Sequence, residues 1–169
     1  MATPSGLARC AMKDLIPDPN PRPRQAQGPT ETLTKRPMEE LGDLDLVILV
    51  LQGFALQDVQ MMLSSSTLYT KRNVIGLITG KTQRKVNNLL NSGLGMDRLN
   101  AQQSAMAFQF AKTLEHAISV LGTQARAEDW LGQSSMHLSG LMPVELIETS
   151  VGFTMVERYL SQIQHGIYV

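Results

Sequence analysis

Proline is distributed unevenly along this chain of 169 residues, and that distribution limits the possible folds more than any other feature. Seven of the eight prolines lie before residue 42, and only Pro143 follows. Because proline lacks a backbone donor and interrupts helix interiors, the first part of the chain is a poor helix former. Residues 1–41, in which prolines alternate with polar residues from Pro17 to Arg24, are therefore predicted to be a disordered or polyproline-like arm.

Apolar residues after this arm recur at helical spacing, which predicts an all-α fold. The clearest helix begins at Asn100, an N-cap with Gln103 as its capping-box partner. Its apolar residues repeat every three or four positions as a core seam, namely Ala107, Phe110, Leu114, Ala117 and Leu121. Further helices are predicted over 44–52, 55–63, 68–79, 82–91, 125–131, 143–149 and 152–165. Segment 44–52 is interpreted as a short buried helix, although its Val-Ile-Leu-Val run is also compatible with a strand.

Charge is also distributed unevenly, although the formal net charge of the whole chain is zero. Between Lys71 and Arg98 there are six basic residues and one acid, whereas from Glu115 onward there are six acids and two basic residues. This asymmetry suggests a basic surface for phosphates and an acidic surface for protein. A single cysteine, Cys10, excludes an intramolecular disulfide framework. The longest apolar run, 46–51, is short of the roughly 20 residues of a membrane helix, so we expect a soluble cytoplasmic protein without a membrane partner.

Residues 72–91 have the spacing of a helix-turn-helix. Its small, turn and pinning positions are occupied by Gly76, Gly80, Val86 and Leu89. The predicted DNA contacts are Lys81, Thr82, Gln83, Arg84, Lys85, Asn87 and Asn88. These side-chain types pair with guanine or adenine edges and reach phosphates, and Thr82 can also cap the second helix. Lys81 departs from the pattern, because an apolar residue usually follows the turn glycine. A plain helical hairpin with a solvated polar face is the alternative.

No set of residues in the sequence predicts catalysis. The tripeptide Gly80-Lys81-Thr82 resembles the end of a phosphate-binding loop, but that motif needs a glycine where Ile75 stands, and a preceding strand. Three histidines lack a second His or Cys at metal-ligand spacing: His116, His137 and His165. Neighbouring carboxylates such as Glu128 and Asp129 point in different directions on a helix. We therefore expect no enzyme, no cofactor and no metal site.

The segment from Trp130 to Val169 is predicted to fold as a helical hairpin. Pro143 can begin a short helix at the position where its missing N–H costs nothing. Gly152 is predicted to interrupt the chain before a last amphipathic helix, which Gly166 ends. The apolar tail that follows is poorly suited to water, so it either lies under its own domain or inserts into a partner.

This C-terminal pattern resembles the toxin-binding domain of Xre/ParS-type (MbcA-like) antitoxins, which neutralise RES-type toxins acting on NAD. The positions that carry the resemblance are Ala127, Trp130, Leu131, Leu138, Gly140, Pro143, Glu145, Leu146, Thr149, Gly152, Val156, Leu160, Ile163, His165 and Gly166. Residues 44–169 as a whole look like such an antitoxin, in which a Cro-like helix-turn-helix bundle precedes a small helical toxin-binding domain.

The resemblance implies a homodimer or higher oligomer that binds a RES-domain toxin, covers its NAD pocket and represses its own operon through operator DNA. The implied toxin contacts are His165, Gly166, Ile167, Tyr168 and Val169. The implied supporting scaffold consists of Trp130, Leu131, Pro143, Leu146 and Gly152.

Three regions are therefore expected: the arm over 1–41, a region for DNA binding and dimerisation over 42–122, and a toxin-binding domain over 123–169. One alternative is a stand-alone helix-turn-helix regulator whose C-terminal domain only dimerises. Another is an adaptor that has lost DNA binding. A neighbouring toxin gene, or a second polypeptide that co-purifies, would distinguish the antitoxin from the stand-alone regulator.

Overall fold

A computed structural model describes residues 28–92 and 98–167 of the chain. Its helices are α1 (Pro29–Thr34), α2 (Asp43–Gln52), α3 (Leu56–Ser64), α4 (Thr67–Lys71), α5 (Val74–Thr79), α6 (Gln83–Asn91), α7 (Ala101–Leu121), α8 (Gln124–Gly132), α9 (Pro143–Leu146) and α10 (Ser150–Gln164). Short 3₁₀ helices span Met38–Glu40 and Met136–Leu138. Within the described ranges the only β-type pairing is a single bridge between Ala55 and Arg98. The predicted all-α class is confirmed.

Helix α7 lies at the centre of the fold. On its inward side five side chains have no exposed surface: Ala107, Phe110, Ala111, Leu114 and Ala117. The predicted seam is thus buried except at its end, where Leu121 is partly exposed. The predicted capping box is also present, since Gln103 N donates to Asn100 Oδ1 at 2.8 Å and Asn100 N to Gln103 Oε1 at 3.2 Å. Helix α7 contacts α1, α2, α5, α8 and α10, and one apolar core connects them.

A buried tyrosine attaches α4 to this central helix. The hydroxyl of Tyr69 donates a hydrogen bond to the backbone carbonyl of Phe110 at 2.8 Å, and the two rings meet edge to face with centroids 5.3 Å apart. Burial raises the pKa of Tyr69 far above its ordinary value, and the negative charges of Glu128 and Glu157 raise it further. The phenol therefore stays protonated and donates this bond throughout the working pH range.

The segment 28–41, which the sequence places in a disordered arm, is ordered and packed on the core. Pro29 begins α1, and Leu33 is buried. Glu115 of α7 accepts hydrogen bonds from the backbone N–H of Thr30, at 3.0 Å, and from its hydroxyl. These tertiary contacts stabilise a segment whose composition alone favours disorder. The remainder of the predicted arm, 1–27, lies outside the described residues.

Helix α2 forms where a buried helix is predicted, but it is not buried. Leu46, Leu49 and Val50 pack against the core, whereas the opposite side of the helix lies in solvent. None of the residues of α2 is fully buried. The prediction of burial was wrong because an apolar run of this length does not indicate whether its second side meets the same chain.

The long helix predicted over 68–79 is divided into α4 and α5. The division falls at Asn73, whose φ of 52° lies in the left-handed region that asparagine tolerates better than most residues. None of the described helices is both long and apolar enough to cross a membrane.

Candidate functional site

The last helix ends in a turn that directs the following residues away from the core. Gly166 has a φ of +66°, its N–H donates to Ile163 O at 3.1 Å, and Ile167 N donates to Gln162 O at 3.0 Å. This pair of bonds is a Schellman motif, in which a left-handed glycine follows the helix and satisfies its last carbonyls. The glycine at this position therefore determines the direction in which the chain leaves α10.

The residues beyond that turn are exposed. His165 and Gly166 lie at the surface, and Ile167 retains 57% of its possible exposure. Tyr168 and Val169, which complete the predicted toxin contact, lie outside the described residues. Of the two locations that the sequence allows for the tail, its described part does not lie beneath its own domain. We call residues His165–Ile167 the tip.

An aromatic stack supports the hairpin from which the tip extends. The ring of Tyr159 lies between Trp130, at a centroid distance of 5.9 Å, and His137, at 5.3 Å. Leu131 is fully buried and Pro143 is buried at the start of α9, whereas Trp130 and Leu146 are partly exposed. The structure thus places the predicted scaffold residues at the junctions of α8, α9 and α10.

Gly152 occupies a different position from the predicted one. It lies inside α10, which begins at Ser150 behind the N-cap Thr149, and its N–H donates to Thr149 Oγ1 at 3.0 Å. A Cβ at this position would lie 2.1 Å from the backbone oxygen of Leu146. The glycine therefore allows α10 to approach the end of α9, and it does not interrupt the helix.

Helix α10 and the preceding loops also carry exposed apolar side chains that were not predicted as contacts. Val151 and Met155 are four residues apart on the outer side of the helix, while Met136 and Leu141 lie in the loop region before α9. The available signal was the spacing of Val151 and Met155, because side chains at i and i+4 share one side of a helix. The buried Val156 lies on a different side. This surface adds apolar area to the hairpin that bears the tip.

Glu128 joins the C-terminal hairpin to the preceding helices. It is nearly buried on α8, where its carboxylate accepts bonds from the hydroxyl of Thr67, from Gln124 Nε2 at 2.7 Å and from Leu68 N at 3.2 Å. Burial alone would raise the pKa of this carboxyl, but these hydrogen bonds stabilise its charged form more strongly and lower the pKa below the ordinary value. Nearby, Arg72 and Glu145 form an ion pair at 3.0 Å.

The helix-turn-helix predicted between residues 72 and 91 is present as α5, a turn and α6. Gly80 takes the turn with a φ of +66°, and Val86 is fully buried. Thr82 caps α6 by accepting a hydrogen bond from Lys85 N at 3.4 Å. A small residue at Gly76 was expected to let the second helix approach the first, but the nearest atom to an added Cβ there is Asn73 Nδ2 at 2.5 Å. The amide of Asn73 therefore occupies the space beside this helix.

The predicted DNA-contacting residues are brought together on one outer surface. Those with exposed side chains are Thr82, Gln83, Arg84, Lys85, Asn87 and Asn88, and Lys81 is partly exposed. Gln83 Nε2 donates to Asn87 Oδ1 at 3.0 Å, which orders this surface. The ion pairs of the described residues do not involve Arg84 or Lys85. Their charges are thus available at the N-terminal end of α6, where a helix also favours anions.

The groups that could resemble catalytic residues have structural partners. His116 Nδ1 lies 3.0 Å from Glu157 Oε2 between α7 and α10, and His137 belongs to the aromatic stack. No group of three or more potential metal ligands occurs in the described part of the chain. The described residues thus form an all-helical structure with α5, a turn and α6 on one part and a C-terminal hairpin on another.

Comparison with known proteins identifies the C-terminal hairpin. Residues 116–166 match the family described as the antitoxin Xre/MbcA/ParS C-terminal toxin-binding domain. The chain is 34% identical over 68 residues to the antitoxin Xre of Pseudomonas putida KT2440, a match that covers 40% of this chain and 43% of that protein. Over this segment the chain is similar to the toxin-binding domain of Xre/MbcA/ParS-type antitoxins.

A second relative is a different kind of protein. The chain is 45% identical over 47 residues to 6-hydroxy-3-succinoylpyridine 3-monooxygenase HspA of Pseudomonas putida S16. That match covers 28% of this chain and 15% of the monooxygenase. The chain thus spans less than half the length of either of these curated relatives.

Proposed function

We propose that this chain is a non-enzymatic antitoxin that binds a RES-domain toxin in the cytoplasm and blocks the toxin's NAD site. The observation that carries this proposal is the outward position of Ile167, an apolar side chain that the Schellman turn holds in solvent. Burial of an exposed isoleucine side chain by a partner is favourable, because it removes apolar surface from water. The membership of this hairpin in a toxin-binding family supports a toxin as that partner.

The tip would act by occupying the toxin's cleft. His165, Gly166 and Ile167, together with Tyr168 and Val169, would compete with the dinucleotide for the same space. The tight turn and the stacked hairpin reduce the conformational freedom that docking must remove, and such preorganisation favours affinity. The acidic balance of residues 115–169 complements a pocket that binds the phosphates of NAD, which favours rapid association.

Co-expression with the toxin tests the contact. Ile167→Asp should abolish protection of growing cells, because it places a charge in an apolar contact. Met61→Asp is the matched control, since Met61 on α3 has 52% exposure and lies outside the C-terminal domain. Full protection by Ile167→Asp would refute the proposed contact, provided that both variants accumulate equally.

We also propose that the α5–α6 unit binds operator DNA and represses the antitoxin's own operon. Capped α6 presents two unpaired cations and four exposed polar residues, which matches the side-chain types that read major-groove edges. A homodimer would place two such helices on a palindromic operator. The stand-alone regulator is distinguished from the antitoxin by purification, because only the antitoxin should retain a toxin through the tip.

A binding assay on the promoter tests the DNA contact. Replacing Arg84 and Lys85 by alanine should weaken binding and reduce the slope of log affinity against log salt by about 2, because two phosphate contacts are lost. Arg126→Ala with Arg158→Ala is the matched control, since it removes the same charge from exposed positions on α8 and α10. An unchanged slope for the α6 variant would exclude these residues as phosphate contacts.

A further inference from the structure

A methionine in the loop between α8 and α9 lies almost entirely in water. Met136 begins the short 3₁₀ helix Met136–Leu138 and retains 90% of its possible exposure, more than any other large apolar side chain of the described residues. A long, flexible apolar side chain normally reduces such exposure by packing on apolar surface nearby. The outward position of this thioether therefore requires a structural cause.

That cause is the loop itself, which is held in one conformation. Ser135 N donates to Leu141 O at 3.1 Å and closes the loop, and Leu138 is buried in the core. The ring of His137 belongs to the aromatic stack on α10. Because the residues on either side of its thioether are fixed in this way, Met136 is directed into solvent.

A second exposed methionine lies on the part of α10 that this loop contacts. Met155 has 45% exposure and precedes Tyr159 by four residues, so the two side chains share one side of the helix. His137 stacks on Tyr159 with ring centroids 5.3 Å apart, and it follows Met136 directly in the chain. Both thioethers thus belong to one exposed surface of the C-terminal hairpin. We call Met136 and Met155 the hairpin methionines.

Exposed thioethers react with peroxides. One methionine and one hydrogen peroxide give one methionine sulfoxide and one water: the O–O bond breaks, an S–O bond forms, and sulfur gives up two electrons to the peroxide. The product is polar, so burying it in an apolar contact is unfavourable. Oxidation would therefore change this surface from one that favours an apolar partner to one that disfavours it.

We propose that the hairpin methionines form an oxidation site that controls whether the free chain can bind its toxin. This inference rests on the proposed function, because it requires a toxin that buries the two thioethers. Both residues lie within 116–166, the segment that matches a toxin-binding family, and Met155 is on the helix that bears the tip. Oxidation by peroxide would prevent neutralisation of the toxin. Methionine sulfoxide reductases, which act on both sulfoxide epimers, would restore it.

Peptide mapping by mass spectrometry tests the chemistry without a toxin. The full-length Cys10→Ser chain, which has no thiol, is treated briefly with hydrogen peroxide. Met136 should be oxidised at least about tenfold faster than the core residue Met62, because only the first sulfur is open to solvent. Equal rates for these two residues would overturn the proposal.

Binding to a RES-domain toxin tests the consequence. Peroxide treatment should raise the dissociation constant of the Cys10→Ser chain at least about tenfold, and the reductases should reverse this change. Adding Met136→Leu and Met155→Leu keeps the surface apolar but prevents sulfoxide formation there, so the affinity should stay the same before and after treatment. Adding Met61→Leu instead, at an exposed position on α3, should leave the peroxide sensitivity intact. Equal sensitivity of these two variants would overturn the proposal.

Protection by the toxin separates this inference from the proposed function. A bound toxin should slow oxidation of Met136 and Met155 but leave that of Met61 unchanged. A toxin that binds tightly without slowing oxidation of the hairpin methionines would overturn the oxidation site alone, because the two thioethers would then lie outside the contact. An untreated chain that does not bind the toxin would refute the proposed function and this inference with it.

Discussion

Glu128 on α8 accepts a hydrogen bond from the backbone N–H of Leu68 in the first turn of α4, with 3.2 Å between Leu68 N and Glu128 Oε2. It thereby supplements Ser66, the N-cap residue that accepts from Tyr69 N. A carboxylate at this place also interacts favourably with the helix dipole. The C-terminal hairpin is thus connected to the helices that precede the helix-turn-helix by a charged group with almost no access to water.

Removing this carboxylate should destabilise the whole fold. We expect Glu128→Ala to lower the free energy of unfolding by about 2–3 kcal/mol, since hydrogen bonds to charged groups are lost and Leu68 N–H is left without its acceptor. Urea denaturation followed by circular dichroism measures the change. Asp129→Asn, an exposed neighbour, should change it by less than about 0.5 kcal/mol. Equal effects of the two substitutions would show that the connection contributes little.

The same carboxylate should make stability depend on pH. Because its pKa is lower in the folded than in the unfolded chain, its contribution is present above the ordinary value of 4.5 and is lost as the pH falls through the folded value. Wild type should therefore lose more stability than Glu128→Gln when the pH is lowered from neutral towards that range. Parallel stability curves for the two proteins would contradict the lowered pKa.

Gly152 should not tolerate even one methyl group. Because its Cβ would meet Leu146 O at 2.1 Å, Gly152→Ala must displace backbone, and we expect a loss of at least about 2 kcal/mol. Gly132→Ala is the control, since its Cβ would meet only the flexible Leu68 side chain at 3.1 Å. Thermal melts compare the two variants. A Gly152→Ala protein as stable as wild type would show that α9 and α10 are less closely packed.

Gly166 should determine how firmly the tip is held. Gly166→Ala keeps the side chain small but is strained at a φ of +66°, so the turn should weaken by about 1 kcal/mol. Gly166→Asn should weaken it less, because asparagine tolerates this conformation. Hydrogen exchange of the Ile167 amide, which donates to Gln162 O, reports the difference. The order of protection should be glycine, asparagine and then alanine, and any other order would contradict the Schellman turn.

Local signals in the sequence predict much of this structure. The capping box at Asn100, the buried seam of α7 and the turn at Gly80 all depend on residues within a few positions of one another. Caps and turns of this kind are specified by residues close together in the chain. The helix-turn-helix was predictable for the same reason, including the cap formed by Thr82.

The features that escaped prediction depend on distant partners. The order of α1 requires Glu115, which is 85 positions from Thr30, and Glu128 caps a helix about 60 positions away. The exposure of Leu44, Val47 and Leu51 on α2 depends on what packs beside that helix, which apolar periodicity alone does not indicate. In the site itself, the resemblance to the family indicated the tip. The exposure of Val151 depends on which side of α10 faces the other helices, and that was not predicted.

The central claim is that the tip occupies the toxin's NAD site, and competition binding tests it most directly. The purified wild-type protein should displace NAD from a RES-domain toxin, whereas Ile167→Asp should need at least about a thirtyfold higher concentration, as expected when a central apolar contact is lost. Met61→Asp should behave as wild type. Equal displacement by wild type and Ile167→Asp, or tight binding of the wild type without displacement of NAD, would contradict the account.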